Sequence, residues 1–255
     1  MDAGLNLYTL HKLIGTEEGL VEVTLRLKEM GYSYLQFSGA PFSGEMIARV
    51  SERTDIPFVL THVPYDRIVG DTDRLMEEHA LFGCKRIGLG WIPPETVADE
   101  CECKTKIDEL NRAAERMEKA GFTLFYHNHH MEFMRYSGES VFDYMIKNAP
   151  SLHFTLDTYW AQYRGVDVIE LIRMLKGRIE CVHLKDYAIT YDREKKECKP
   201  VFAPVGYGNM DFARIVSEAK KSGAEYFFVE QDNACLLPDT WGEVKKSIDY
   251  IKEKL

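Results

Sequence analysis

Two glutamates, an aspartate and a histidine each stand at or just past the end of a short apolar run in this 255-residue chain. They are Glu132 in LFYHNHHMEF, Asp157 in LHFTLDTYW, His183 in IECVHLKDY and Glu230 in YFFVEQDN. Carboxylate oxygens and an imidazole nitrogen together suit a hard or borderline divalent ion. Each run favours a strand and is followed by helical spacing, so the polar residues emerge at the carboxyl ends of successive parallel strands. That is where α/β proteins carry their chemistry. The leading expectation is a metal-dependent enzyme.

Each residue also has a plainer reading. A carboxylate closing an apolar strand, as Asp157 does, is costly unless solvent, hydrogen bonds or a metal receive it. It could simply cap a helix, but the next helical spacing begins only near Gly165, which favours ligation. A lone strand histidine is more often a hydrogen-bonded core residue than a ligand. His183 nevertheless recurs at the depth of Asp157, one β-α unit later, and alternation puts it on one face with Cys181 and Lys185. Glu230 could be an ordinary exposed charge. At the end of the last strand of a closed barrel it would instead lie on the same rim as the others.

Around Glu132, His127 and His129 share a strand face, yet neither HExxH nor a cysteine-histidine finger spacing is present. A substrate-binding histidine pair with a ligating Glu132 is therefore expected, rather than three histidine ligands. His62 and Trp91 end the third and fourth runs, as Tyr8 and Phe37 end the first two. Such aromatics are usually packing, but at a barrel mouth they can shield a reacting sugar from water. The dinucleotide and P-loop glycine signatures are absent.

The elements that must position these residues alternate along the whole chain. Strand-like runs cover residues 4–10, 32–38, 57–63, 85–92, 123–129, 152–158, 179–186 and 226–232, and helical spacing fills the intervals. Thr16 precedes a glutamate-rich first turn, and Gly31, Gly83, Gly121, Gly177 and Gly223 follow helices where glycine closes them well. Eight strands that each feed a helix close most simply into a (β/α)₈ TIM barrel spanning 1–255, with a doubly wound sheet as the alternative. The stretch 188–208 is too long for an ordinary loop and reads as a lid or binding excursion.

A formal charge of −9 and 45% hydrophobic residues fit a sizeable core and argue against a broad electrostatic grip on nucleic acid or an anionic membrane. The start MDAGLNLYTL has no signal-peptide pattern, and no apolar run is long enough to span a bilayer, so a cytoplasmic enzyme is expected. The six cysteines are scattered and read as reduced thiols.

HNHHMEF, LDTYW, VHLKD, GYGNMDF and VEQD together resemble the sugar phosphate isomerase/epimerase-like family of the xylose isomerase-like TIM barrels, over nearly the whole length. The resemblance implies one divalent ion (Mn, Co, Mg or Zn) held by Asp157, His183, Glu230 and a first ligand from the fifth strand. Many relatives have glutamate where this chain has His127. Glu132 is the favoured first ligand, with His127 or His129 as the replacement. GYGN also departs from a commoner GEG, with Tyr207 in place of glutamate.

The implied reaction is isomerisation or epimerisation of a small carbohydrate through an enediolate, with Glu132 and Glu230 as acid and base. His62, His127, His129, Lys185 and Trp91 would contact the substrate. A dehydratase or lyase acting on an inosose or 3-keto-glycoside is the runner-up. An endonuclease IV-like phosphoesterase and a non-catalytic sugar-binding barrel are further alternatives. Self-association of the chain is left open.

Overall fold

A computed structural model describes residues 1–255. Eight parallel strands close into the expected TIM barrel: β1 (Gly4–Asn6), β2 (Tyr34–Phe37), β3 (Phe58–His62), β4 (Arg86–Leu89), β5 (Thr123–His127), β6 (His153–Asp157), β7 (Cys181–Leu184) and β8 (Tyr226–Val229). Closure comes from β1, which pairs with both β2 and β8. The strands are shorter than their apolar runs. In the first, residues after Asn6 turn into a 3-10 segment, Leu7–Leu13, whose start is capped by the Asn6 side chain.

Helix boundaries follow local chemistry. Thr16 accepts a hydrogen bond from the Gly19 N–H at 3.1 Å and so starts the helix Glu17–Met30. Gly31 ends it at φ 98°, a conformation that costs glycine nothing. The helix Phe212–Ser222 buries Phe212, Ile215, Val216 and Ala219, one stripe at helical spacing. Truncating Phe212 to alanine would cost about 3–5 kcal/mol. No helix is long and apolar enough to cross a membrane.

Strand alternation divides the core in two. The outward face packs against the helices in one large cluster, and Tyr34, Leu60, Phe125, Cys181 and Phe228 form a separate buried group. The latter makes the barrel floor. One irregularity matters for what stands above it. Leu35 pairs with Phe58 but Gln36 pairs with Leu60, so Val59 is an extra residue in β3. Phe58 accordingly belongs to the outer core and Leu60 to the floor, a change of side within one strand.

The stretch expected as an irregular excursion is ordered. Asp186–Asp192 pairs antiparallel with Glu197–Ala203 as a seven-by-seven hairpin. Its charged turn, DREKKE, hides the strand pattern in the sequence. At its base the Asp186 carboxylate accepts N–H bonds from Tyr187, Gly206, Gly208 and Met210 at 2.8–3.1 Å. A Cβ on Gly208 would lie 2.3 Å from Asp186 Oδ1, which is why GYGN needs its second glycine.

Candidate active site

Two residues beyond the floor, the same strand faces turn polar. Gln36, His62, His127, His183 and Glu230 stand two positions on from Tyr34, Leu60, Phe125, Cys181 and Phe228, and Asp157 two on from Thr155. The extra residue in β3 is what brings His62, rather than Thr61, to this layer; Thr61 turns outward to hydrogen-bond the helical His79.

Within the layer, His127, Asp157, His183 and Glu230 converge, one donor atom from each lying within 4.8 Å of the others. All four side chains are buried. The structure thus joins three of the expected ligands but puts His127 in the fourth place. Glu132 lies outside the group. It is fully buried, its Oε1 accepts from the Tyr126 hydroxyl at 2.7 Å, and its Oε2 accepts from the His129 N–H at 2.8 Å. Burial pushes its carboxyl up against the pull of these donors. This corrects the expectation that Glu132 reaches back into the group: in the short 3-10 turn Met131–Phe133 its carboxylate braces the loop after β5.

Asp157 reconciles two readings that looked exclusive. The next helix, Thr158–Tyr163, starts at once rather than near Gly165, and Asp157 Oδ1 caps it by accepting from Trp160 N–H at 2.9 Å. Oδ2 remains free to face His127 Nε2 at 3.4 Å and Lys185 Nζ at 3.6 Å.

The donor set fits a divalent cation in its outer contacts. His127 Nδ1 lies 3.0 Å from the Gly90 carbonyl and can only donate to it, so the neutral imidazole turns an Nε2 lone pair toward Asp157; against burial, Asp157 and Glu230 raise this imidazole, drawing positive charge to the same spot. His183 Nε2 lies 2.6 Å from Gln36 Oε1, which likewise leaves Nδ1 as a lone pair. That Nδ1 is 2.5 Å from Glu230 Oε2, and both atoms are buried with no other partner. With the proton on Nε2 the imidazole and the carboxylate face each other with electron pairs only, which calls for a cation shared by both; with a proton on Nδ1 the same contact is a short hydrogen bond. Imidazoles whose outer N–H is given to a protein acceptor are the usual form of a metal-ligating histidine.

Charge points the same way. Lys185, almost fully buried, places its ammonium 2.7 Å from Asp232, 3.5 Å from Glu230 and 3.6 Å from Asp157, one positive group among three carboxylates. Burial would lower the Lys185 ammonium, but Glu230, Asp157 and Asp232 raise it instead. Burial would raise Glu230, but Lys185 and His183 hold it well below the usual carboxylate range. His183, His62 and His129 are lowered chiefly by burial and stay neutral. Asp232 is pushed up to about 6 by burial and by Glu230, against the pull of Lys185.

Above this layer opens a cavity of about 810 Å³, within the range of small-molecule sites. The expected substrate residues His62, Trp91, His127, His129 and Lys185 line it, together with Glu230, Asp232, Tyr8, Phe42 and Tyr65. Trp91 is half exposed at the mouth. Asp232, legible in the sequence only as part of the polar tip beyond Glu230, and Gln36, not singled out there, also stand at the site. Gln36 would have followed from counting two residues beyond Tyr34 in YLQF.

The sequence pattern of the xylose isomerase-like TIM barrel family matches residues 25–254. An inosose dehydratase of Geobacillus kaustophilus is 30% identical over 167 residues, 60% of this chain and 53% of that protein. An inosose dehydratase of Clostridium perfringens is 25% identical over 246 residues, 91% of this chain and 82% of that protein. A sugar phosphate isomerase/epimerase from Parabacteroides distasonis has the same fold, with a TM-score of 0.78, 24% identity and coverage of 99% of this chain and 98% of that one.

Proposed function

The chain belongs to the xylose isomerase-like TIM barrel family, and on that premise we propose that it is a divalent-metal-dependent lyase that removes water from a small, uncharged, polyhydroxylated ketone. His127, Asp157, His183 and Glu230 would hold the ion, which when bound supplies Lewis-acid stabilisation of negative charge developing on the carbonyl oxygen. Glu230, ionised and in the cavity wall, takes the proton from the carbon beside the carbonyl. Asp232, also in the wall and pushed up to about 6, hands a proton to the departing hydroxyl. His62 and His129, neutral donors and acceptors, orient the remaining hydroxyls. Tyr8, Phe42, Tyr65 and Trp91 cover the ring and limit water.

The observation that carries this reading is that the wall holds Glu230 while the place facing it on β5 is taken by His127 and not by a carboxylate. Epimerisation between two carboxylates, the leading expectation from the sequence, needs a second base on the opposite side of the substrate. Glu132 does not line the cavity and has both oxygens engaged. Loss of water needs one base and one acid, and Glu230 and Asp232 supply both. The inosose dehydratases among the relatives agree with this choice. An uncharged substrate follows from the cavity wall, which has no arginine and one lysine already shared among three carboxylates.

The test is incubation of the Mn²⁺-loaded protein in D₂O with inososes, ketohexoses, 3-keto-glycosides and their phosphates. Deuterium entering beside the carbonyl, with a new unsaturated product absorbing in the ultraviolet, supports a dehydratase. An epimer without a new chromophore would point back to epimerisation, and no exchange with any ketone would refute both.

A further inference from the structure

Every member of the donor quartet comes from β5 to β8, and the atoms that orient its histidines come from the other half of the barrel. His127 gives its outer N–H to Gly90, just past β4, and His183 gives its own to Gln36 on β2, 147 residues away in sequence. We propose that Gln36 is the positioning residue that fixes His183 in the tautomer with a proton on Nε2 and a lone pair on Nδ1, and thereby sets the metal affinity of the site. The inference rests on the metal-dependent reading above but concerns a residue that touches neither ion nor substrate.

Three features carry it. The Gln36 side chain is fully buried, and its Oε1 lies 2.6 Å from His183 Nε2, a short bond across the barrel interior. Gln36 Nε2 is buried with no partner, so the amide is kept there at a cost and the His183 contact is its one side-chain hydrogen bond. Gln36 also stands two residues beyond the floor residue Tyr34 on β2 and opposite Leu60 in register, so ordinary strand alternation aims its side chain into the barrel. Without an acceptor at Nε2, the Nδ1 proton would be favoured, because Nδ1 lies 2.5 Å from the Glu230 carboxylate. A proton there occupies the lone pair that the ion needs, and it must be displaced before binding.

The inference separates cleanly from the functional reading. Long-range ¹H–¹⁵N spectra of the metal-free protein, labelled on its eight histidines, should show His183 as the Nε2–H tautomer, assigned by loss of the signal in His183→Gln. In Gln36→Leu the signal should shift toward the Nδ1–H form, and Mn²⁺ affinity by calorimetry should fall about 10- to 100-fold. Gln36→Glu retains an acceptor of the same length and should restore both the tautomer and an affinity within about tenfold of the parent. Circular dichroism and thermal melting report whether Gln36→Leu has kept the fold. Should it not, the parent and Gln36→Glu spectra still decide the tautomer. An Nδ1–H tautomer in the parent, or a folded Gln36→Leu with unchanged tautomer and affinity, overturns the inference. A parent that holds the Nε2–H tautomer but binds no Mn²⁺ sinks the functional reading alone.

Discussion

Replacing Glu132 by glutamine separates bracing from catalysis. Its two oxygens receive the Tyr126 hydroxyl at 2.7 Å and the His129 N–H at 2.8 Å, inside a fully buried pocket. Glutamine has nearly the same volume but only one acceptor oxygen. If that oxygen keeps His129, the new amide hydrogens face Tyr126, whose hydroxyl can rotate to accept. The hydrogen bond to Tyr126 is then reversed, and its buried O–H and the second amide hydrogen lose an acceptor. The expected loss is about 1–3 kcal/mol, or roughly 3–9 °C in melting temperature for a chain of this size. Scanning calorimetry of the metal-free protein measures it. Mn²⁺ affinity and deuterium exchange should stay within about threefold of the parent, because nothing that contacts ion or substrate has changed. In Glu230→Gln, by contrast, exchange should fall by about 10²-fold or more. A Glu132→Gln protein that melts like the parent but has lost exchange by orders of magnitude would refute the bracing role and return Glu132 to the chemistry.

Lys185→Met removes the one ammonium among Asp157, Glu230 and Asp232, and breaking such a buried network should cost about 3–5 kcal/mol. Added Mn²⁺ should therefore raise its melting temperature more than the parent's; an equal shift would contradict that electrostatic picture. His79 is buried between Leu75 O and the Thr61 hydroxyl, and its imidazole is lowered to about 4, chiefly by burial. The unfolded chain, near 6.5, then binds the proton first, so this contribution to stability is complete above pH 6.5 and is lost as pH falls toward 4. The full effect is roughly 3 kcal/mol. Urea midpoints at pH 7.5 and 5 should drop less in His79→Gln than in the parent, and parallel drops would count against the assignment. Gly208→Ala forces a Cβ against Asp186 and the Tyr187 carbonyl, for an expected loss of about 1–3 kcal/mol in thermal melting; no loss would mean the turn adjusts freely.

The barrel was legible because β-then-α alternation runs through the whole chain, and Asp157, His183 and Glu230 because each is a polar residue that interrupts or ends an apolar run. Glu132 was misplaced for a physical reason. HNHHMEF crowds three histidines and a carboxylate into one strand end, and side-chain parity, counted from the floor residue Phe125, sends His127 inward before Glu132 is reached. The extra residue in β3 reverses that parity, and nothing in PFVLTHV marks it, since it arises from pairing with β2. The helix Thr158–Tyr163 is under two turns long and aromatic, so it reads as a continuation of its strand. The hairpin after β7 hid behind its charged turn.

The most direct test of the account is a Mn²⁺ titration of the metal-free parent beside His127→Ala, Asp157→Ala and Glu132→Gln, with bound ion counted by electron paramagnetic resonance. The account predicts one ion per parent chain, loss of about tenfold or more in affinity for His127→Ala and Asp157→Ala, and parent-like binding for Glu132→Gln. A parent that binds no ion, or binding that survives His127→Ala but fails in Glu132→Gln, would contradict it.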